Sequence, residues 1–356
     1  MTQSVEGSQD YVQNVAAVPP VLALRRLIFG HRITRIITVA AQLGLADCLA
    51  DGPKRADELA ALIQVDVPTL YRLLRALASV GVFAEVESGR FALTPLGDCL
   101  RTDAPDGMRS WALLEGEAFC QRLYADLLWS VQTGGVTFDH AFGMGFYQYM
   151  TQHPDTARLF SEAMAEFAAL STDAVAADYD FSPFRRIVDV GGGQGVLLNT
   201  ILAHYPQAQG VLFELAPVIE RARPFIEVAG LADRCELVAG DFFVSVPQGA
   251  DAYILQRILH GFDDESSVRI LHNCCRAMTP SSRVLIIQQV MPPPGAEVAS
   301  ETLFHGVMSD LNMLAVGGGR ERTAAEYRAL LEAAGLKLTR VVPTQSLMSV
   351  VEGMRT

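Results

Sequence analysis

A glycine-rich turn follows an apolar run in residues 188–197, whose sequence is VDVGGGQGVL. A buried strand that ends in such a turn and opens a helix is typical of sites for nucleotide-like ligands. A dinucleotide fingerprint requires the spacing G-x-G-x-x-G. Counted from Gly191, the third glycine position of that fingerprint holds Val196. The turn therefore predicts a nucleotide-like ligand other than a dinucleotide.

Three acidic residues lie close to this turn or at the ends of later apolar runs. Asp189 stands two residues before Gly191, where a carboxylate repels a pyrophosphate but suits the cationic amino end of a methionine-like group. Glu214 ends the next run, where a carboxylate accepts hydrogen bonds from ribose hydroxyls. Asp241 follows the third run beside two phenylalanines, and this pair suits an adenine ring and its amino group.

The C-terminal half alternates strand-like and helix-like segments. The apolar strand-like runs are residues 186–190, 210–214, 235–238, 252–256 and 284–288. A capping box, Thr323-x-x-Glu326, begins a helix that ends at Gly335. Residues 336–343 and 346–353 are predicted to close the chain as a hairpin. This order predicts an α/β fold with a mostly parallel, doubly wound sheet and ligands at the carboxyl ends of its strands.

The N-terminal part shows a different order of elements. Apolar side chains recur at helical spacing in residues 33–49, 57–63 and 69–80. Asp66 provides a helix start for the third stretch and Gly81 an end. Residues 82–94 then hold two runs rich in Val and Phe around Ser88-Gly89, which is a hairpin signal. Three helices followed by a β-hairpin predict a winged helix.

The charge of this segment argues against DNA binding. Between residues 51 and 101 there are six basic and seven acidic residues, whereas a helix that reads a DNA groove gains its affinity from a cationic face. The whole chain carries a formal charge of -12, which also disfavours nucleic acid. We interpret the winged helix as a structural or dimerising element.

Residues 105–180 are again helical in pattern and rich in aromatic side chains and Met. Such a segment, ahead of the glycine-rich turn, provides candidate walls for a flat apolar acceptor. The candidate acceptor contacts here are Trp111, Phe119, Phe146, Phe160 and Met164. We therefore predict three parts: a winged-helix-like dimerisation domain (1–104), a helical segment that contributes to the acceptor pocket (105–183) and a Rossmann-like catalytic domain (184–356).

Compartment and metal chemistry follow from what the sequence lacks. Residues 1–10 contain acids and no basic region followed by an apolar run, so no signal peptide is predicted. The most apolar stretch, 36–46, is short for a membrane span. The six cysteines show no C-x-x-C spacing, which favours reduced thiols in a cytoplasmic protein. No cluster of carboxylates and histidines has metal-ligand spacing, so no metal is expected.

The motifs DVGGGQG, GDFF, LHGFDDE and GGGRERT together resemble those of the plant-type small-molecule O-methyltransferases. This family is of the caffeic acid O-methyltransferase type, and its bacterial members modify phenazines, anthracyclines and mitomycins. The resemblance covers nearly the whole chain. It implies a class I methyltransferase fold, a homodimer and S-adenosylmethionine as donor, with S-adenosylhomocysteine as product. The implied donor-binding residues are Asp189, Gly191, Gly193, Glu214, Leu215, Gly240, Asp241, Phe242, Phe243, Gln256 and Arg257.

The resemblance also implies a catalytic base. His260 lies just after the fourth strand-like run, and an imidazole with a pKa near 6.5 can remove a phenol proton as the methyl transfers. Glu321 matches a carboxylate that orients this ring. The second such carboxylate is replaced by Gln288, a Lys of the plant enzymes by Gln256, and the Asp or Asn after the His by Gly261. A helix over the acceptor adds candidate contacts: Met308, Asn312 and Met313.

The sequence thus predicts an S-adenosylmethionine-dependent O-methyltransferase that acts on a hydroxyl of a planar aromatic secondary metabolite, phenazine- or polyketide-like, with His260 as general base. Two alternatives stay open here. One is a family member that performs C-methylation or donor-assisted hydroxylation, which the missing carboxylate at Gln288 favours. The other is a winged-helix DNA-binding regulator, which the charge balance disfavours.

Overall fold

The fold is taken from a computed structural model, which describes residues 19–293, 295–296 and 300–356, without the side chains of residues 300 and 301. The chain divides into two compact units, one that ends at Gln121 and one that runs from Arg122 to Thr356. The three-part division at residues 104 and 183 stays a prediction.

Helices make up most of the first unit and alternate with strands in the second. They are α1 (Pro20–Ile28), α2 (Gly30–Gln42), α3 (Leu45–Cys48), α4 (Ala56–Ile63), α5 (Val67–Ser79), α6 (Pro95–Asp98), α7 (Arg109–Leu114), α8 (Ala118–Ala125), α9 (Leu127–Thr133), α10 (Thr137–Phe142), α11 (Phe146–Gln152), α12 (Pro154–Asp178), α13 (Val196–His204), α14 (Ala216–Val228), α15 (Asp264–Ala277), α16 (Ser300–Gly317) and α17 (Ala324–Ala333). Within the described residues, no helix combines the length and apolarity needed to cross a membrane.

The strands form three sheets. They are β1 (Lys54–Arg55), β2 (Phe83–Glu87), β3 (Arg90–Leu93), β4 (Arg186–Val190), β5 (Gln209–Glu214), β6 (Cys235–Ala239), β7 (Ala252–Gln256), β8 (Arg283–Gln288), β9 (Val290–Met291), β10 (Arg322–Thr323), β11 (Leu336–Pro343) and β12 (Ser349–Arg355). The first unit holds a small antiparallel sheet in the order β1-β3-β2. In the second unit, β9 and β10 pair in parallel, and the other strands form one large sheet.

The first unit has the predicted winged-helix order. Asp66 caps α5, because its carboxylate accepts a hydrogen bond from the Thr69 N–H at 2.9 Å. Leu74 of α5 packs with Phe83 of β2 and Phe91 of β3 in one buried cluster. The amphipathic helices and the hairpin therefore share a single core, as the apolar spacing predicted.

The prediction of one helix over 33–49 was wrong. The structure has two helices here, α2 and α3, which meet at Gly44. Gly44 adopts φ +62°, a left-handed conformation that glycine tolerates and that ends a helix. The apolar spacing continues through the break because both helices bury Ala and Leu side chains in the same cluster.

The large sheet of the second unit has the order β11-β12-β8-β7-β4-β5-β6. Strands β4 to β8 are parallel to one another, and the β11–β12 hairpin pairs antiparallel to β8. The strand order reverses between β4 and β7, so the crevice at their carboxyl ends is the expected ligand site. The predicted α/β fold with a mostly parallel sheet is confirmed.

Both faces of this sheet are buried. Val188 of β4 and Leu255 of β7 belong to one core cluster, whereas Ile187 and Ile254 belong to a second one. Neighbouring residues of a strand thus point into different cores, which is why the runs read as continuously apolar. The sheet is a firm base for the side chains at its carboxyl edge.

Candidate active site

The glycine-rich turn connects β4 to α13. Gly191 has φ +72° and Gly193 has φ +59°, a backbone region that favours glycine. A Cβ on Gly191 would lie 2.6 Å from Cδ1 of Ile258, whereas a Cβ on Gly193 would meet no atom within 4 Å. The first glycine thus allows close packing against the segment after β7, and the second borders open space at the start of α13.

Asp189 lies inside this crevice with 1% of its surface exposed. Neither carboxylate oxygen has a hydrogen-bond partner among the described residues. Burial, together with the negative charge of Glu214, raises the pKa of Asp189 to about 7. A buried carboxylate without donors is costly, so the site gains free energy from a ligand that brings a cation or N–H donors.

Glu214 at the end of β5 is partly buried beside the turn. Its Oε2 accepts a hydrogen bond from the Leu215 N–H at 2.6 Å. Burial raises the pKa of Glu214, and the N–H groups of Leu215 and Gly193 oppose that rise. The carboxylate therefore lies next to the open side of the glycine turn, as the sequence predicted for a ribose-binding acid.

The segment after β6 completes this edge. The Gly240 N–H donates to the Glu214 carbonyl at 2.9 Å. Asp241 is exposed, and its Oδ1 accepts from the Phe243 N–H at 2.8 Å. The rings of Phe242 and Phe243 have centroids 5.9 and 5.2 Å from that of Phe262. The structure thus brings the three predicted acids to the ends of three adjacent strands.

At the end of β7, the Gln256 amide nitrogen is buried and makes no hydrogen bond within the described part of the chain. Together with Asp189, it is a second orphaned polar group in the same crevice. Buried polar groups are normally paired. The crevice thus offers an unpaired carboxylate, an unpaired amide and open space beside Gly193. These groups fit a ligand with an ammonium group and a ribose.

Tyr147 of α11 belongs to the aromatic segment that the sequence predicted as a pocket wall, but its place near Glu214 was not predicted. Desolvation and the negative charge of Glu214 raise the pKa of Tyr147 to about 12. The ring of Tyr147 stacks on that of Phe262, with centroids 6.2 Å apart. This placement beside the crevice depends on a contact between distant segments, and no local pattern signals it.

His260 lies in a short 3-10 turn, Leu259–Gly261, directly after β7. Its side chain is buried, and its Nδ1 lies 2.7 Å from Oε1 of Glu321. Burial alone would raise the pKa of Glu321, but hydrogen bonds from His260 and Ser309 hold that pKa below its usual range. An ionised Glu321 accepts a hydrogen bond from Nδ1–H, which fixes the tautomer and leaves Nε2 as an acceptor.

Glu321 is fully supported by its neighbours. Ser309 Oγ donates to Oε1 at 2.7 Å, and the Gln288 amide donates to Oε2 at 3.3 Å. The Glu321 N–H donates to Oδ1 of Asp310 at 2.8 Å. Gln288 thus contacts Glu321 and not the imidazole, because a neutral amide supplies a donor where a second carboxylate would repel the first. Ser309 was missed by sequence reasoning.

The motif GGGRERT holds the turn that carries His260. Arg322 has no exposed surface and donates to the carbonyls of Leu259 and Phe262, both at 2.8 Å, and to Asp264. A Cβ on Gly319 would lie 2.0 Å from the His260 carbonyl oxygen. The motif therefore supplies Glu321 to the ring, Arg322 to the backbone on either side of it, and a glycine for close approach.

A cavity of about 40 Å³ lies against this pair. Its lining residues are Phe167, Arg257, His260, Gln288, Gln289, His305, Ser309, Glu321, Leu347 and Met348. The structure thus gathers His260, Glu321, Gln288 and Arg257, all predicted from sequence. Phe167 belongs to the aromatic segment that the sequence predicted as a pocket wall, whereas Gln289 and His305 were not predicted.

The predicted acceptor contacts are more scattered. In the second unit, the rings of Phe146 and Phe160 meet edge to face, with centroids 5.1 Å apart, and Asn312 accepts a hydrogen bond from the Tyr124 hydroxyl at 2.8 Å. Met164 and Met313 are partly buried, and Met308 is exposed. Trp111 and Phe119 belong to the first unit. None of these residues lines the 40 Å³ cavity, so their roles stay predictions.

No group of three or more His, Cys, Asp or Glu side chains within the described residues has the geometry of a metal site. The polar groups of the crevice and the cavity are instead carboxylates, amides, two imidazoles, one hydroxyl and one guanidinium. They suit binding and proton transfer to an organic ligand.

Comparison with known proteins identifies the family. Residues 124–337 match the O-methyltransferase domain, and residues 25–103 match the O-methyltransferase dimerisation domain. The chain belongs to this O-methyltransferase family. The predicted class, an S-adenosylmethionine-dependent O-methyltransferase with a helical dimerisation domain before a Rossmann-like domain, is confirmed.

Individual relatives match over nearly their whole length. The phenazine O-methyltransferase PhzM of Lysobacter antibioticus is 44% identical over 336 residues, 94% of this chain and 96% of that one. The mitomycin biosynthesis 6-O-methyltransferase of Streptomyces lavendulae is 39% identical over 318 residues, 89% of each chain. NcsB1, an O-methyltransferase from neocarzinostatin biosynthesis solved with S-adenosylmethionine and 2-hydroxy-5-methyl naphthoic acid, is 32% identical, with a TM-score of 0.76 over 91% of this chain and 96% of that one.

Proposed function

We propose that this O-methyltransferase methylates a hydroxyl of a planar aromatic natural product, with His260 as the general base. The observation that carries the proposal is the buried His260–Glu321 pair, 2.7 Å apart, against a cavity at the carboxyl end of β7. In a doubly wound sheet this edge is where ligands bind.

The hydrogen bond to Glu321 orients His260 in the free protein, before an acceptor binds. Glu321 accepts a hydrogen bond from the Nδ1–H of His260, so Nε2 has a lone pair for the acceptor hydroxyl. When His260 takes that proton, the Glu321 charge stabilises the imidazolium that forms. Ser309 and Gln288 hold the carboxylate in place.

The donor site is assigned to the crevice. S-adenosylmethionine supplies, when bound, an electrophilic methyl on a sulfonium. Asp189 and the glycine turn would hold its amino acid end, and Glu214 would accept the ribose hydroxyls. Asp241 and Phe242 would hold the adenine, with Gln256 as a further donor. Alignment of the two reactants contributes to the rate independently of the base, since proximity is worth roughly 7–11 kcal/mol in favourable cases.

The acceptor class follows from the relatives and from the side chains. The relatives act on a phenazine or in mitomycin biosynthesis, and NcsB1 was solved with a hydroxylated naphthoic acid. Phe160 and Phe167 lie seven residues apart on α12, hence on one helix face. We assign a flat, hydroxylated aromatic ring system as the acceptor.

The assembly we propose is a homodimer formed through the dimerisation domain. Residues 25–103 match that domain, and α1 exposes Val21, Leu24 and Leu27 to solvent in the single chain. Sedimentation velocity is expected to give a dimer. A stable monomer at micromolar concentration would refute this assembly.

The test of the function is direct. The protein is incubated with methyl-labelled S-adenosylmethionine and a panel of hydroxylated phenazines, naphthols and hydroxynaphthoates, and the products are analysed by mass spectrometry. Label on an oxygen of a panel member supports the proposal. Label on carbon, or a hydroxylated product without label, would instead favour C-methylation or donor-assisted hydroxylation.

A further inference from the structure

We propose that Arg257 anchors a carboxylate on the acceptor, so that the preferred substrates are aromatic hydroxy acids. This inference rests on the proposed function, because it requires an aromatic acceptor whose hydroxyl faces His260. It reassigns Arg257, which the family resemblance places with the donor-binding residues.

The guanidinium of Arg257 lines the same cavity as His260 and Glu321. Its Cζ lies 4.1 Å from the centroid of the Phe167 ring. Among the residues that the structure describes, no side chain or carbonyl forms a hydrogen bond or ion pair with it. One face of the guanidinium is therefore covered by an aromatic ring, while its N–H edge has no protein acceptor.

Glu321, the carboxylate that lines the same cavity, is already occupied. Its Oε1 accepts from His260 and Ser309, and its Oε2 accepts from Gln288. Its negative charge acts on Arg257 only through space. Desolvation lowers the pKa of Arg257 to about 10, so the side chain is still cationic at neutral pH. A partly dehydrated cation with free donors is a strong site for an anion.

The backbone of Arg257 supports a functional placement. Its φ is +56°, one of two positive φ values at non-glycine residues in the described part of the chain. Such strain persists where the surroundings impose it and is frequent at ligand sites. The Arg257 N–H is held by the Ile287 carbonyl at 3.0 Å. Arg257 thus combines an unusual backbone conformation after β7 with a place in the cavity wall.

The chemistry of the anion follows from the guanidinium. Its planar fork matches the two oxygens of a carboxylate, and the Phe167 ring fixes its plane. The cavity of about 40 Å³ exceeds the roughly 10–15 Å³ that one water requires, so it has room for a small polar group such as a carboxylate. A carboxylate has two sources here, the acceptor or the methionine end of the donor. The position beside His260 favours the acceptor.

The experiment measures binding, so it does not depend on turnover. Naphthols and the isomeric hydroxynaphthoates are titrated by calorimetry into protein loaded with S-adenosylhomocysteine, for the wild type, Arg257→Met and Arg257→Lys. Arg122→Met is the matched control, because Arg122 also lies over a phenylalanine, 5.1 Å from the Phe142 centroid, but outside the cavity.

We expect the best acid to bind the wild type about 10- to 100-fold tighter than its naphthol, the range for a hydrogen-bonded charge pair. Arg257→Met should bring this ratio close to one, Arg257→Lys should retain part of it, and Arg122→Met should keep it. An unchanged ratio in Arg257→Met, or no preference for any acid in the wild type, would overturn the proposal. The proposal would also be overturned if Arg257→Met lost affinity for S-adenosylhomocysteine while the acid-to-naphthol affinity ratio stayed intact. That result would mean that the guanidinium binds the donor. Methylation of naphthols would uphold the proposed function in each of these cases.

Discussion

The donor crevice and the base site lie at the same edge of the sheet but differ in how their polar groups are satisfied. In the crevice, both oxygens of Asp189 and the amide nitrogen of Gln256 lack partners among the described residues. In the base site, Glu321 accepts from His260, Ser309 and Gln288, and its own N–H is held by Asp310. The Asp189 carboxylate is thus left for a ligand to pair, whereas the Glu321 carboxylate is paired within the protein, although the buried Gln288 amide oxygen beside it has no partner among the described residues.

This difference has a physical consequence. Unpaired buried groups cost free energy in the free protein and return it when a ligand pairs with them, so the crevice should determine donor affinity and its pH dependence. A hydrogen-bonded base is preorganised, so the base site should determine the rate of the chemical step and leave donor affinity alone. The predictions below test this separation.

The largest effect is expected from His260→Ala. Loss of a general base lowers kcat by about 10²–10⁴, and the donor site should keep its affinity. The measurements are kcat on a panel member that the wild type methylates and the donor affinity from calorimetry. His204→Ala is the control, because His204 is exposed and bonds only the Thr200 carbonyl. A His260→Ala enzyme within about threefold of wild type would leave proximity as the mechanism, since base catalysis is worth far more.

The next effect concerns Asp189 and pH. Its pKa is about 7 in the free protein, so below pH 7 it is neutral and must release a proton to pair with the donor ammonium. Donor affinity should rise by up to about tenfold per pH unit below pH 7 and level off above it, because one proton is released. Calorimetry in buffers of different ionisation enthalpy measures that proton.

Asp189→Asn should bind the donor more weakly at pH 8 and show no such pH dependence. Its matched control is Asp241→Asn, at an exposed acid of the same edge, in which the proton release should persist. Binding without proton release in the wild type would mean that Asp189 does not pair with the ammonium.

A smaller effect is expected from Glu321→Gln. The amide oxygen can still accept a hydrogen bond from Nδ1–H, but the charge that stabilises the imidazolium is lost. A residue that orients a functional histidine in this way is worth about 10–100-fold in activity. The apparent pKa of the pH–rate profile should fall because the cationic ring is less favoured. The profile distinguishes this role from a structural one. A loss of rate with an unmoved profile would count against the orienting carboxylate.

The smallest effect is expected from Gln288→Glu. A second carboxylate 3.3 Å from Glu321 favours the imidazolium, so the apparent pKa of the rate should rise and the rate at low pH should fall. Gln289→Glu, at the neighbouring cavity residue, is the comparison variant. An unchanged apparent pKa in Gln288→Glu would show that residue 288 is electrostatically separate from the base.

Much of this arrangement could be predicted from the sequence because its determinants are local. The run VDVGGGQGVL, the Asp66 cap and the Thr323–Glu326 capping box act over a few residues. The His260–Glu321 pair spans 61 residues and was predicted from the family motifs, not from spacing. Ser309, Tyr147 and the Arg257–Phe167 contact join segments far apart in the chain, so no periodicity indicates them. The break at Gly44 was missed because the apolar pattern runs through it.

Single-turnover methyl transfer at saturating donor tests the separation of the two regions most directly. Wild type, Asp189→Asn and His260→Ala are each mixed with labelled donor and with one acceptor that the wild type methylates. The donor concentration is set above the dissociation constant of Asp189→Asn, the weakest binder. The account predicts that Asp189→Asn recovers most of the wild-type rate, whereas His260→Ala is still slower by about 10²–10⁴. Recovery of the His260→Ala rate by added donor, with Asp189→Asn still slow at saturation, would contradict it.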